Sequence, residues 1–332
     1  MKDILTQSLS NIPTPMSGLA LGIASLGVCL EYLYTFHGLA QNISMILASI
    51  LLLFILIKFM VHPHLIKQDL SHAVVGSVIP TFAMATMVIS TTVAKLSLSL
   101  AVFLWLVAIA FHLVFLVKFT IHRMRDFELH HMVPSWFVPP VGIIVAAVTF
   151  PNVAVLLPLA EGLLIFGIAT YAILLPIILY RLIFSATVPD AAKPTLAVLA
   201  APASLSLAGY LTIVANPNPL MIALLGGIAV LMTALVYLSL INLLRLPFSP
   251  GYAAFTFPLV ISSIAMYKTS EWMLGNSLLS EYSSNIHAIA SFEAVIAALV
   301  VVYVFGHFLN VFYHFILNFA NLGVRNELSS NI

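Results

Sequence analysis

Ten long apolar runs dominate this chain, and they restrict its fold more than any other feature of the sequence. A helix needs about 20 apolar residues to cross a bilayer. The runs occupy the ranges 15–36, 42–61, 72–93, 97–121, 132–150, 155–184, 193–215, 218–243, 250–269 and 286–317. Only 7% of the residues are charged, whereas a soluble domain carries about 25%. The sequence therefore predicts an all-α integral membrane protein with ten transmembrane helices in a single domain, 1–332.

The runs alternate between two compositions. The even-numbered runs are rich in Leu, Ile, Val and Phe, and the odd-numbered runs are richer in Gly, Ala, Ser, Thr and Pro. Bulky apolar side chains suit a lipid-facing helix, whereas small and hydroxyl side chains suit a helix that packs inside a bundle or lines a cavity. We therefore predict five helical hairpins, each with an inner and an outer helix, whose inner helices enclose a central path.

Prolines recur early in the odd-numbered runs. Four of these runs carry one: Pro80, Pro139, Pro202 and Pro258. Successive prolines lie roughly 60 residues apart, the spacing of a repeated helical hairpin. The first run has Ala20 and Gly22 at the corresponding place. Because a proline inside a helix removes a backbone hydrogen bond and kinks the helix, kinked inner helices are predicted to expose backbone groups to the path.

Basic residues are distributed unequally between the two sets of loops. Those near the loops that join even to odd runs, or at the termini, are Lys2, Lys58, Lys67, Lys118, Arg123, Arg125, Arg181, Lys193, Arg245 and Arg325. The opposite loops hold only Lys95 and Lys268. Since cytoplasmic loops carry an excess of Lys and Arg, we predict a multi-pass protein of the cell membrane (inner or plasma membrane) with both termini cytoplasmic. Each inner helix then enters the bilayer from the cytoplasm.

The odd-numbered runs bring hydroxyl groups and no fixed charge to the predicted path. The predicted lining residues are Ser17, Gly22, Ser77, Pro80, Thr81, Pro139, Pro202, Ser204, Thr256 and Pro258. Further hydroxyls are available in Ser25, Thr86, Thr149, Ser206, Thr212 and Ser262, and not all of them can face inward. Such a lining offers donors to an anion and no carboxylate to a cation, and its weak binding suits conduction. Phe257 is predicted to close the path by steric block and dewetting.

Ionisable residues within the runs leave two other functions open. Glu293 is a candidate proton site for a coupled carrier or exporter of C4-dicarboxylates or sulfite. A membrane-embedded enzyme would need Glu293 to converge with His112, His307 and His314 in one cavity. The sequence has no hydrolase motif and no phosphate-binding loop, and it predicts no enzyme, no cofactor and no metal site. A formal net charge of +1 gives no electrostatic case for binding nucleic acid.

Four segments of the odd-numbered runs carry a family resemblance. They are PTPMSGLALG from Pro13, PSWFVP from Pro134, APASLSLAGY from Ala201 and AFTFP from Ala254. In their order and spacing they resemble the tellurite-resistance/dicarboxylate transporter (TDT) family, which includes the bacterial TehA proteins and the plant slow anion channels. Relatives often have a proline at the place of Ala20.

The resemblance implies an architecture and a cargo. It implies a quasi-fivefold ring of five hairpins around a pore in each subunit, assembled as a homotrimer in the lipid bilayer. The gating phenylalanine of the family matches Phe257. The expected cargo is a small inorganic or organic anion, with chloride, nitrate, malate and sulfite as the alternatives.

Overall fold

The computed structural model describes the backbone of residues 9–329 and the side chains of residues 9–310. Within that part of the chain all regular structure is helical, and no strand is present. Eight of the described helices are long and apolar enough to cross a membrane, judged by length and composition. The chain is therefore a multi-pass membrane protein.

Ten helical segments follow the ten apolar runs. They are α1 (Met16–Leu33), α2 (Leu39–Val61), α3 (Val75–Val93), α4 (Leu98–Arg125), α5 (Pro134–Val148), α6 (Ala154–Phe184), α7 (Lys193–Ile213), α8 (Pro219–Leu243), α9 (Thr256–Leu274) and α10 (Ser280–Ser329). A short helix, Pro63–Ser71, follows α2.

Two of the ten segments, α5 and α9, are not among the eight helices that are long and apolar enough to cross a membrane. The segment α5 is a shorter apolar helix, and it alternates between 3₁₀ and α geometry, with 3₁₀ turns at Pro134–Phe137 and Gly142–Ile144. The helix α9 carries Lys268 and Glu271 toward its C-terminal end. The count of ten spans predicted from the sequence therefore depends on α5 and α9.

The prolines of the inner helices lie where an α-helix begins. Pro80 separates the two α-helical parts of α3, and Pro202 and Pro258 are in the first turn of their α-helices. A first-turn N–H has no partner within the helix, so a proline there removes no hydrogen bond. The interior kink predicted from the sequence is therefore replaced, in α7 and ahead of α9, by a 3₁₀ turn that precedes the α-helix: Lys193–Ala200 and Pro250–Phe255.

Burial and packing distinguish the odd-numbered helices from the even-numbered ones. Each odd-numbered helix contacts the even-numbered helix that follows it. The odd-numbered helices also contact one another in a closed sequence, α1 with α3, α3 with α5, α5 with α7, α7 with α9, and α9 with α1. In the most apolar stretches of α1, α3 and α7, 72% of the residues are buried, against 28–39% in the even-numbered helices. The odd-numbered helices thus form the interior.

One contact recurs in three of the hairpins. A basic side chain near the end of the outer helix donates to a backbone carbonyl ahead of the inner helix. The pairs are Lys58 Nζ to Ile12 O (2.9 Å), Arg123 Nη2 to Ser71 O (2.5 Å) and Arg181 Nη2 to His130 O (2.7 Å). All three cations are buried, and a buried charge needs polar partners. These residues, which the sequence analysis used for orientation, therefore also fix the beginnings of α1, α3 and α5.

Candidate functional site

Two cavities lie between the odd-numbered helices. The first, which we call the N-end cavity, has a volume of about 80 Å³ and is bordered by the N-terminal parts of α1, α3, α5, α7 and α9 and the turns before them. The second, the C-end cavity, has a volume of about 210 Å³ and is bordered chiefly by the later parts of α1, α3, α5 and α9. All five odd-numbered helices contribute to each cavity, since Leu205 of α7 borders the C-end cavity as well.

Phe257 and Leu205 are common to both cavities. Phe257 lies in the first turn of α9 and is 7% exposed, and Leu205 lies on α7 and is 2% exposed. The position of Phe257 follows from the local sequence, because the 3₁₀ turn Pro250–Phe255 ends just before it and Pro258 favours a helix start. A benzyl and an isobutyl group therefore occupy the junction of the two cavities. Leu205 gave no signal in the sequence, since it resembles any other Leu of an apolar run.

Four of the residues predicted for the path border the N-end cavity: Thr81, Pro202, Phe257 and Pro258. The other predicted lining residues border neither cavity: Ser17, Gly22, Ser77, Pro80, Pro139, Ser204 and Thr256. Several of their hydroxyls donate to a carbonyl of the same chain segment, as Ser204 does to Ala200 O (2.7 Å) and Thr256 does to Ala253 O (2.7 Å). A helical hydroxyl that bonds three or four residues back is turned along the helix, which explains why composition alone overestimates the lining.

Two of the predicted serines also join inner helices. Ser17 Oγ lies 2.8 Å from Thr81 Oγ1, which links α1 to α3. Ser77 Oγ lies 2.7 Å from Ser135 Oγ, which links α3 to α5. These buried hydroxyl contacts fix the spacing of the helices that border both cavities.

Gly22 and Pro139 also lie in helix–helix contacts. A Cβ atom on Gly22 would come within 2.3 Å of Thr256 Oγ1, so the absence of a side chain lets α1 approach α9 closely. The carbonyl of Pro139 lies 2.8 Å from His112 Nε2 on α4. Because a carbonyl only accepts, Nε2 donates in this contact, and this carbonyl is not available to a path.

The C-end cavity carries the polar side chains that the N-end cavity lacks. Its polar lining residues are Ser25, Tyr32, Gln41, Thr91, Thr149 and Lys268, whereas Thr81 and Thr195 supply the only side-chain hydroxyls of the N-end cavity in the described structure. Lys268 was counted with the loop that follows the ninth run, although that run, 250–269, includes it. It lies within α9, which continues to Leu274. The uncharged lining predicted from the sequence therefore does not hold for the C-end cavity.

Glu293 lies outside both cavities. It is on α10, 4% exposed, and accepts a hydrogen bond from Ser262 Oγ of α9 at 2.7 Å. Ser262 Oγ is in turn 2.8 Å from Thr233 Oγ1 of α8. Since Ser262 has one proton and gives it to Glu293, Thr233 is the donor in the second contact. A chain of hydrogen bonds thus joins α8, α9 and α10 behind the helix that carries Phe257.

The ionisable groups of the outer helices contact different parts of the protein. His112 contacts α5, Glu293 contacts α9, and the ring of His307 stacks on Phe248 with a centroid distance of 4.7 Å. The side chain of His314 lies outside the described residues. A membrane-embedded enzyme would need these groups in one cavity, and the described ones do not meet.

A cluster in the loop before α5 offers ligands for a metal ion. Glu128, His130 and His131 each contribute one ligand atom, and these atoms lie within 4.8 Å of one another. Glu128 and His130 are exposed, and Glu128 Oε2 lies 3.2 Å from His130 Nε2. The cluster borders neither cavity.

Residues 11–309 match the family described as SLAC1, voltage-dependent anion channel. Two proteins of Methanocaldococcus jannaschii, each named an uncharacterized transporter, are also similar to the chain. The first is 24% identical over 294 residues, which cover 78% of this chain and 86% of that protein. The second is 27% identical over 227 residues, which cover 60% of this chain and 65% of that protein. These names point to transport rather than to catalysis.

Proposed function

The chain belongs to the SLAC1 family of voltage-dependent anion channels, and on this premise we propose that it conducts small anions along a path between α1, α3, α5, α7 and α9. In this proposal α5 and α9 span the membrane together with the other eight segments. Five inner–outer hairpins then surround a central pore in a quasi-fivefold ring, and 1–332 is a single transmembrane domain. Phe257 is the gate of this pore.

The observation that carries the proposal is the junction of two cavities at Phe257 and Leu205. Each cavity is bordered by all five inner helices, which supports a location inside the closed sequence of helix contacts. An apolar constriction excludes water and so blocks a hydrated ion. A nearly buried benzyl group at the junction is therefore suited to hold the path closed.

Orientation and assembly belong to the same proposal. We propose a place in the cell membrane with both termini cytoplasmic, which the excess of Lys and Arg on one side supports. The family resemblance supports assembly as a homotrimer. Native mass spectrometry of the detergent-solubilised protein tests the trimer, and labelling of cysteines introduced into single loops tests the orientation.

Anion flux in proteoliposomes tests the gate. Phe257→Ala should raise chloride or nitrate flux by about tenfold or more, because each 1.4 kcal/mol removed from a barrier is about tenfold in rate. Phe292→Ala is the matched control, since it removes the same ring from α10 at a position that is 64% exposed. Flux through Phe257→Ala equal to that of the wild type, with both proteins folded, would rule out the gate.

A proton-coupled carrier of dicarboxylates or sulfite is the second candidate, and the buried chain from Thr233 through Ser262 to Glu293 is the observation that favours it. A buried carboxyl within the spans is a functional hypothesis by default. Its place behind α9, outside both cavities, favours the channel instead.

A pH gradient distinguishes the two candidates. The channel predicts no anion accumulation driven by a pH gradient alone, and flux through Glu293→Gln that stays close to wild type. A carrier predicts accumulation that Glu293→Gln abolishes and that Glu281→Gln, a change at an exposed carboxylate of the same helix, leaves intact.

A further inference from the structure

We propose that the C-end cavity is a binding site for one small monovalent inorganic anion, held by the ammonium of Lys268 and the hydroxyl of Ser25. The inference rests on the proposed function, because it places a resting site for the anion on the path, in a cavity that Phe257 also borders. Lys268 is the only charged residue that borders either cavity in the described part of the chain.

The ammonium of Lys268 has no hydrogen-bond or ion-pair partner among the residues that the structure describes. Lys268 lies on α9, eleven residues beyond Phe257, which is about 16 Å along a helix that rises 1.5 Å per residue. Among the described residues it makes no hydrogen bond and no ion pair within 4.0 Å. Lys268 is partly buried, and taking a charge out of water is unfavourable unless a polar partner replaces the water. The space beside it, the C-end cavity, is where that partner would bind.

The buried hydroxyl of Ser25 is a second, separate observation in favour of a ligand. Its side chain is 3% exposed, and its Oγ is a buried polar atom without a hydrogen-bond partner in the described structure. The two threonine hydroxyls of this cavity do have partners in their own segments, since Thr91 Oγ1 donates to Val88 O at 2.8 Å and Thr149 Oγ1 donates to Val145 O at 2.7 Å. An unmade hydrogen bond of a buried hydroxyl is unfavourable. Ser25 and Lys268 border the same cavity, and the proposal is that one anion in this cavity accepts from both.

On the side of the protein that is predicted to face away from the cytoplasm, both lysines lie at or next to the C-end cavity. Lys95 and Lys268 are the two exceptions to the uneven distribution of basic residues. Lys95 Nζ donates to Gln41 Oε1 at 2.5 Å, and Gln41 Nε2 donates to Thr91 Oγ1 at 3.3 Å. Because Gln41 and Thr91 both border the cavity, Lys95 is connected to the lining of the cavity through Gln41.

Neither Glu31 nor Glu271 forms an ion pair with Lys268. Glu31 accepts from the backbone N–H groups of Gly38 at 3.0 Å and Ala40 at 3.1 Å, where it caps the start of α2. Glu271, one helical turn beyond Lys268, is exposed and acts on it only through space. Solvent screens an exposed charge, so Glu271 does not replace an anion in the cavity.

Size and charge define the ligand class. The volume of about 210 Å³ is several times the roughly 30 Å³ that a water molecule occupies in the liquid. The cavity therefore has room for a chloride or nitrate ion with part of its hydration shell. One ammonium matches one negative charge, whereas a dicarboxylate would keep a second charge without a partner, which is unfavourable in an apolar surrounding.

Anion-dependent thermal unfolding of the purified protein in detergent tests binding without transport. Chloride or nitrate, exchanged for gluconate at constant ionic strength, should raise Tm, because a ligand that binds the folded state stabilises it. Lys268→Gln should raise the anion concentration for half the effect on the order of tenfold, and Ser25→Ala about threefold. Lys118→Gln removes the same charge from an exposed position of α4 and should keep the wild-type midpoint. A wild-type midpoint in Lys268→Gln would overturn the site.

Transport measurements separate this inference from the proposed function. In bilayers containing Phe257→Ala protein, the current should saturate with anion concentration, and adding Lys268→Gln should shift half-saturation on the order of tenfold. Lysine-dependent binding without anion flux in any variant would end the channel proposal and leave the site. Anion flux that is indifferent to Lys268→Gln would end the site and leave the channel.

Discussion

Gly22 determines how closely α1 approaches the beginning of α9. A Cβ atom at this position would lie 2.3 Å from Thr256 Oγ1, 2.4 Å from Thr256 Cβ and 3.2 Å from the backbone nitrogen of Phe257. Overpacking of a close contact costs about 1–3 kcal/mol. We therefore expect Gly22→Ala to lower the free energy of unfolding by that amount, measured by denaturation in detergent, and to change anion flux because Phe257 is displaced.

Gly227→Ala is the control for this substitution. Gly227 lies on α8, and a Cβ atom there would meet nothing within 4 Å. Alanine favours a helix over glycine by up to about 1 kcal/mol, so this variant should be neutral or more stable than the wild type. Equal stability of Gly22→Ala and Gly227→Ala would refute the close contact between α1 and α9.

Phe257 could be proposed as a gate from the sequence, and this role stays a prediction, whereas its neighbours at the two cavities could not be named. Phe257 stood out because an aromatic residue precedes a proline near the start of an inner run. Leu205 could not be distinguished from other leucines, because its position depends on which side chain of α9 it faces. Lys268 was counted with a loop because it lies at the end of the ninth run, 250–269, and hydropathy does not show how far a helix continues. Contacts between helices determine which residues border a cavity. The sequence of a single apolar run does not reveal those contacts.

Between secondary-structure elements, Lys58 connects the segment before α1 to the end of α2 through hydrogen bonds and an ion pair. Its ammonium donates to Ile12 O and Thr14 Oγ1, both at 2.9 Å, and lies 3.5 Å from Asp69 Oδ2. Thr14 Oγ1 donates to the same carboxylate oxygen at 2.5 Å. The charge is buried, with an exposed fraction of 5%, so these partners are needed.

A double-mutant cycle tests this connection. Lys58→Met should lower the free energy of unfolding by about 1–3 kcal/mol, because buried acceptors lose a charged donor. With Asp69→Asn, the coupling energy should be about 1 kcal/mol. Lys193→Met is the comparison, since the Lys193–Asp190 pair is 38% and 75% exposed, and loss of an exposed pair changes stability by less than about 1 kcal/mol. Equal effects of Lys58→Met and Lys193→Met would contradict the structural role.

The course of the inner helices was only partly predictable. The spacing of the prolines indicated where each inner helix changes geometry. The sequence did not show that the change is a 3₁₀ turn followed by an α-helix start, as at Pro250–Phe255. At an interior kink the residues before the proline are already part of the α-helix, whereas at a helix start they are not, so the first N–H groups lack partners within the helix. Composition does not distinguish the two cases.

At the scale of the whole molecule, the division into inner and outer helices is visible in composition. Bulky apolar side chains suit contact with lipid and small ones suit helix packing, and the burial of the two sets of helices differs in the same sense. The closed sequence of contacts from α1 through α9 and back to α1 brings together residues distant in the chain. The position of the cavities and of their junction depends on that closure, so the sequence predicts a path between the inner helices but not its shape.

The bilayer current of wild-type and Phe257→Ala protein in a sodium chloride gradient tests directly whether Phe257 closes the path. In the proposed function, its benzyl group at the junction of two cavities blocks an anion path between five inner helices. We predict a small wild-type current and, for Phe257→Ala, a current about tenfold larger or more that reverses near the chloride equilibrium potential. Equal currents from the two proteins, or reversal near the sodium equilibrium potential, would contradict the account.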